Sequence, residues 1–300
     1  MERIKQALEK ARLERQKTGG SFTPSVSSNA GTPGSVTYTH TRTVGVTKNL
    51  MQERRIVSGF DQGAFTDAYK MLRTQVLQRL CEKNWNSLAV TSPGINEGKT
   101  LTAINLAISL AMEVNYTVLL VDADLRHPGV HNYFGIDAEH GLSDYLTADR
   151  PLSELLVHPE GIPGFVILPG GKPLENSAEM LSSPKMVRLV EELKSRYPSR
   201  IILFDLPPIL SAADALAFSP YVDAALLVIE EGKTQAEDAK RAIDLLQGTN
   251  VIGTVLNKSR SNMPQAESAA WGWADRLRDN AQLVSAAVMS GFSRLRRKKS

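Results

Sequence analysis

Residues 92–100 read SPGINEGKT and stand between an apolar run, SLAVT, and a helical one, LTAINLAISLAME. A strand that turns through glycine into a helix is the setting of a phosphate-binding loop. There the free backbone amides and the helix N-terminus hold anionic oxygen, and a lysine adds charge. In this setting Lys99 reaches the β- and γ-phosphates of a nucleotide such as ATP. The Thr100 hydroxyl binds Mg²⁺, and the amides from about Asn96 to Thr100 cradle phosphate. The expected nucleotide positions are Gly94, Asn96, Glu97, Gly98, Lys99, Thr100 and Leu101. The usual G-x-x-x-x-G-K-[ST] pattern is not met in full, because Pro93 holds the first glycine position. Gly94 and Gly98 must therefore supply the turn.

Two further segments carry carboxylates where an apolar run stops. TVLLVDADLRHP ends on Asp122 and Asp124, and RIILFDLPP ends on Asp205. Ligands of open α/β sheets sit at the carboxyl ends of strands, and a hard cation on phosphate needs oxygen ligands nearby. Any one of these aspartates could simply cap a following helix or turn. All three together with GKT point to a Mg–nucleotide site. His127, beside them, reads as a structural or hydrogen-bonding residue rather than a metal ligand.

The elements that must position these groups follow a rhythm. Strands are predicted at Ser87–Thr91, Thr117–Val121, Phe165–Leu168, Arg200–Phe204, Ala224–Ile229 and Val251–Leu256. Helices are predicted at Lys99–Glu113, Ala178–Tyr197 and Thr234–Leu246, with another over Asp61–Leu80. Strands apolar on both faces that alternate with helices indicate an α/β fold, a doubly wound and mostly parallel sheet of P-loop type. The expected organisation is a helix at 1–16, a flexible Gly/Ser/Thr/Pro-rich linker at 17–60, a nucleotide-binding domain at 61–260 and a tail at 261–300. That tail is predicted to hold a basic amphipathic helix over Ala274–Lys299, with Leu277, Val284, Val288 and Leu295 near one face.

Composition bounds the rest. The 300 residues are 42% apolar and 22% charged, enough for a full core. The single cysteine, Cys81, excludes a disulfide framework and reads as a small buried hydrophobe. The net charge is +3, but residues 1–17 hold six basic and three acidic groups and the last ten hold five basic groups. The interior is therefore net acidic, which argues against nucleic acid as a partner of the core. No apolar run reaches membrane-spanning length and the N-terminus has no secretory pattern, so the expected location is cytoplasmic.

TSPGINEGKT, VLLVDADLRHP and IILFDLPP resemble the Walker A, A′ and B motifs of bacterial tyrosine autokinases, the P-loop kinases of exopolysaccharide and capsule loci. The likeness runs from about residue 61 to 258 and includes GLSDYL at 141–146, LPGGKPLENSAEML at 168–181 and VIGTVLN at 251–257. The N-terminal IKQALEKARLER resembles the variant of exosortase-type loci. The resemblance implies that Lys99 and Thr100 bind phosphate and Mg²⁺. It also implies that Asp122 supports Mg²⁺, directly or through water, and orients the attacking group, that Asp124 accepts its proton, that Asp205 holds the metal indirectly, through the groups that bind it, and that Asn257 faces the adenine. The family's E-x-x-R-x-x-R oligomerisation helix appears as Asp67, Lys70 and Arg73, which implies a homo-oligomeric ring. A membrane-bound chain-length-determinant-type protein is the implied activator.

One departure separates this sequence from the family pattern. Members of this type are expected to end in a tyrosine cluster, yet the seven tyrosines here are Tyr38, Tyr69, Tyr116, Tyr133, Tyr145, Tyr197 and Tyr221. Three functions stay open: a tyrosine kinase with another acceptor, Tyr38 being one internal choice; a nucleotide-switched assembly module; and a partition-type ATPase. The third requires a lysine five residues before the loop lysine, where this chain has Gly94. The basic LRRKK near the C-terminus adds contact with anionic lipid as a further expectation.

Overall fold

The computed structural model describes residues 41–57, 63–196, 199–259 and 285–289. Its strands are β1 (Arg42–Val44), β2 (Ser87–Thr91), β3 (Thr117–Asp122), β4 (Val157–Pro159), β5 (Phe165–Leu168), β6 (Arg200–Asp205), β7 (Ala224–Glu230), β8 (Asn250–Ser259) and β9 (Ser285–Met289). They form one sheet in the order β1-β4-β5-β3-β6-β2-β7-β8-β9. Every pair is parallel except β4 with β5.

The central strands are apolar on both faces because both faces are covered. On one, Leu88, Val90, Val118, Leu120, Leu203, Leu226 and Val228 pack with Leu72, Val76 and Leu80 of the 64–83 helix and Ile104 and Ile108 of the 99–111 helix. On the other, the alternate residues Ala89, Leu119, Val121, Ile202, Phe204 and Leu227 meet Met186, Leu189, Val190 and Leu193 of the 184–196 helix. The period of two along each strand assigns successive side chains to the two layers. From β2 the chain crosses to β3 on one side, and from β6 it crosses to β7 on the other. The topological switch therefore lies beside β2, and the phosphate loop leaves its carboxyl end there.

Three expectations need correction. The 17–60 linker is not wholly unstructured: β1 pairs with β4, and residues Lys48–Glu53 form a helix capped by Thr47. Met51 and Ile56 are buried in the core, apolar anchors that a Gly/Ser/Thr-rich average conceals. The predicted Ala178–Tyr197 helix is two, Ser177–Leu181 and Pro184–Arg196. Pro184 cannot continue a preceding helix but suits the first turn of the next. The predicted C-terminal helix gives way at Ser285–Met289 to a strand parallel to β8. An open β8 edge offers a row of backbone donors and acceptors, and pairing with it outweighs a local helical spacing. The rest of 261–300, the 1–16 helix, Tyr38 and the LRRKK segment lie outside the described residues. Among the described residues no helix is long and apolar enough to cross a membrane.

Candidate functional site

The phosphate loop is shaped by two residues in the left-handed region, Asn96 at φ 61° and Gly98 at φ 93°. At Gly98 the requirement is also steric, because a Cβ there would lie 2.0 Å from Asn257 Nδ2. The loop is tied to itself: Ser92 Oγ donates to Gly94 O at 2.7 Å and Gly94 N to Glu97 Oε2 at 2.8 Å. The other Glu97 carboxylate oxygen accepts from Thr234 Oγ1. The buried Glu97 side chain thus holds the loop.

Lys99 opens the helix that follows. Its Nζ lies 2.9 Å from Asp124 Oδ2 and 3.6 Å from Asp205 Oδ1, and donates to Thr100 Oγ1 at 3.2 Å. Burial opposes the ammonium charge, but Asp205 and Asp124 outweigh it and raise the Lys99 pKa. The β3–β6 register sets Asp122 directly beside Asp205, so two carboxylates share one buried place. Asp122 Oδ2 accepts from Gly129 N at 2.8 Å and Val130 N at 2.9 Å. Burial, and then the Asp205 charge, push its pKa up to about 7. Burial likewise raises Asp205 against the pull of Lys99.

These carboxylates fit a hard divalent cation. Asp122 Oδ1 and Asp205 Oδ1 are buried and have no hydrogen-bond partner, and three carboxylates face one ammonium. Among the described residues no group of three or more His, Cys, Asp or Glu could hold a metal by itself. A cation here would need Thr100 Oγ1 and nucleotide oxygens to complete its shell.

A cleft of about 670 Å³ opens above the loop. Its lining includes Asn96, Gly98, Lys99, Thr100 and Asp124, together with the apolar and aromatic Val57, Phe65, Tyr69, Leu101 and Tyr133. Asp122 and Asp205 are buried and do not line it. Asn257 does line it, yet its Nδ2 donates to Glu97 O at 2.8 Å and its Oδ1 accepts from Lys258 N at 2.8 Å. His127 is on the cleft wall, and its backbone N–H donates to Asp124 Oδ1 at 3.2 Å.

Residues 88–271, more than half of the chain, match the family described as the CobQ/CobB/MinD/ParA nucleotide binding domain. Tyrosine-protein kinase YwqD of Bacillus subtilis is 33% identical over 209 residues, which cover 69% of this chain and 86% of that protein. The chain belongs to the bacterial tyrosine-kinase family. Within that family, tyrosine-protein kinase etk of Escherichia coli K12 is 32% identical over 193 residues, 64% of this chain but only 26% of that protein's length. The solved kinase domain of the Escherichia coli ETK covers 76% of this chain and 91% of its own, with a TM-score of 0.60 and 28% identity. MinD from Pyrococcus horikoshii, solved with Mg-ADP, shares the fold at 23% identity and a TM-score of 0.54.

This family member keeps its expected loop and strand-end residues together. Lys99, Thr100, Asp124 and Asn257 share one cleft, with Asp122 and Asp205 beside it. The expected oligomerisation residues divide. Asp67 and Lys70 pair with each other at 3.0 Å and are exposed, whereas Arg73 turns inward to Ser109 O at 3.2 Å and Glu113 Oε1 at 2.8 Å. Sequence reasoning missed Asn105, whose side chain accepts from Val57 N and donates to Arg55 O and Leu101 O. It thereby fastens the 55–57 segment to the loop helix. The aromatic lining was also missed, although Phe65 and Tyr69 stand four residues apart on one helix, a spacing that sets side chains on one face. Cys81 is exposed rather than buried, with its sulfur 3.3 Å from Tyr116 Oη. It follows buried Leu80 in the last turn of the 64–83 helix and stands off the face that this helix packs on the core.

Proposed function

We propose that this chain is an ATP-dependent protein-tyrosine kinase. The observation that carries the reading is Lys99, paired with the buried carboxylates of Asp124 and Asp205, in a cleft that Phe65, Tyr69 and Tyr133 also line. These aromatic side chains suit a phenol ring better than a serine or threonine side chain. Nucleotide phosphates brought to Lys99 draw its ammonium from Asp124 and leave Asp124 Oδ2 able to accept a proton. The acceptor phenol oxygen then bonds to the γ-phosphorus as the bond to the β–γ bridging oxygen breaks, ADP departs, and the phenolic proton passes to Asp124. Thr100, with Asp122 and Asp205, would hold Mg²⁺, which would neutralise the phosphate charge.

The family resemblance supports a cytoplasmic role in the control of exopolysaccharide polymerisation and export. In this reading the chain works with a membrane-bound chain-length-determinant-type activator, forms a homo-oligomeric ring through the face that carries Asp67 and Lys70, and touches anionic lipid through its basic C-terminal segment. Nucleic acid has no part in it.

The test is mass-spectrometric phosphosite mapping after incubation with Mg–ATP, with and without the activator's cytoplasmic segment, and with Lys99→Ala as control. The expected result is phosphotyrosine that depends on Lys99. A second reading, a nucleotide-switched assembly module, is favoured by the absence of tyrosine from residues 222–300. Intact ATP binding without any phosphotyrosine would select it.

A further inference from the structure

The outer rim of the phosphate loop is held by residues at the end of β8 and just past the end of β7, far from it in sequence. Lys233 Nζ donates to Ile95 O at 3.0 Å, Lys258 Nζ to Asn96 O at 2.5 Å, and Asn257 Nδ2 to Glu97 O at 2.8 Å. Three consecutive loop carbonyls are thus each engaged from outside. The two lysines are joined by one carboxylate: Glu230 Oε2 lies 2.9 Å from Lys258 Nζ and 3.4 Å from Lys233 Nζ. Burial opposes ionisation of Glu230, but Lys258 and Lys233 hold its carboxyl below the usual range. The β7–β8 register sets Glu230 opposite Asn257, which brings the whole group to one corner of the sheet.

The peptide unit is planar and trans, so the N–H of each residue points opposite to the carbonyl before it. A lysine that draws Ile95 O outward turns Asn96 N–H the other way. Lys258 does the same for Glu97 N–H through Asn96 O, and Asn257 does so for Gly98 N–H through Glu97 O. These amides are the ones a phosphate would meet. Lys258 itself is left-handed, at φ 56°, with its N–H bonded to Asn257 Oδ1. A lysine keeps that conformation only where its surroundings fix it.

We propose that Lys233, Lys258 and Asn257, coupled through Glu230, are positioning residues that preset the phosphate loop by holding three successive peptide planes. The inference rests on the nucleotide-binding reading of the cleft. In a loop with Pro93 in place of the first glycine, these outer contacts add to the local ones that Ser92, Gly94 and Glu97 make.

The test is calorimetric titration of the full chain with Mg–ATP, and competition by inorganic tripolyphosphate and by adenosine. Lys258→Met should weaken Mg–ATP and tripolyphosphate alike, by about tenfold, and leave adenosine within about twofold. Lys258→Arg should restore most of the loss, and the unfolding temperature without nucleotide should move by less than about 2 °C. Glu230→Gln separates positioning from simple charge. Removal of a negative charge near the loop should tighten phosphate binding by field alone, whereas loss of the bridge should weaken it by about threefold. Tighter or unchanged binding in Glu230→Gln, or equal losses for adenosine and tripolyphosphate in Lys258→Met, would overturn the proposal. Failure of the unaltered chain to bind Mg–ATP would instead overturn the reading on which it rests.

Discussion

Lys99 Nζ stands 2.9 Å from Asp124 Oδ2, and this contact couples the nucleotide site to the stability of the fold. The lysine is the cation nearest to three side chains that are all buried: Asp122, Asp124 and Asp205. Its removal leaves their charge uncompensated in a poor solvent. Lys99→Met should therefore lower the unfolding free energy by about 3–5 kcal/mol, in addition to abolishing nucleotide binding. Urea denaturation at pH 8 measures this. The double variant Lys99→Met, Asp124→Asn should regain part of the stability but none of the nucleotide affinity.

The Asp122–Asp205 pair predicts a pH dependence of opposite sense to ordinary acid unfolding. The Asp122 carboxyl has an ordinary pKa of 3.8 and is raised to about 7 in the folded protein, first by burial and then by Asp205. Between these values the folded chain keeps a proton that the unfolded chain has released. Its contribution to stability is present at low pH and is lost as pH rises through about 7. Asp205, raised chiefly by burial, acts in the same direction. Asp223 acts oppositely: burial opposes its ionisation, but Lys194 and Ser87 hold it below the usual range, so its contribution is lost only in stronger acid. Without Mg²⁺ or nucleotide, the unfolding temperature should be higher at pH 5 than at pH 8, and Asp122→Asn should flatten the slope. A profile that rises from pH 5 to pH 8 would refute this assignment.

What could be read from the sequence was whatever repeats locally. Six strands could be placed within a few residues because Val, Ile and Leu runs buried on both faces leave an unmistakable pattern, and GKT with its flanks placed Lys99 and Thr100. Elements whose order comes from distant partners could not. β1 exists because β4 lies beside it, and Ser285–Met289 is extended because β8 has an edge. The same holds in the site. Lys233 and Lys258 lie 138 and 162 residues from the carbonyls they hold, and nothing in their local sequence marks them. Tyr133 enters the cleft from a five-residue helix, Val130–Phe134, too short to leave a periodic signal.

Gly98 joins two constraints that a double variant can separate. Its φ of 93° lies where an L-residue is strained by about 1–2 kcal/mol, and a Cβ there would also displace the Asn257 amide from Glu97 O. Gly98→Ala should lower stability and weaken Mg–ATP binding together. Asn257→Ala removes the clash but not the dihedral strain. The two substitutions combined should therefore destabilise by less than the sum of the single effects, as thermal unfolding of all four proteins would show.

The 64–83 helix carries three residues expected to build a ring, and they should not behave alike. Asp67 and Lys70 form an exposed pair, and such pairs contribute less than about 1 kcal/mol. Lys70→Ala should leave monomer stability almost unchanged, so any fall in assembled mass by light scattering reports on the interface itself. Arg73 is different, because its guanidinium bonds Ser109 O on the 99–111 helix that begins with Lys99, and Glu113 just beyond that helix. Arg73→Ala should lower the unfolding free energy by about 1–3 kcal/mol whether or not the chain assembles. A loss of assembly in Arg73→Ala is then evidence for a ring contact only if Lys70→Ala loses it too. Arg73→Ala alone failing to assemble, with Lys70→Ala intact, would mean that this helix serves the fold and that any ring is built elsewhere.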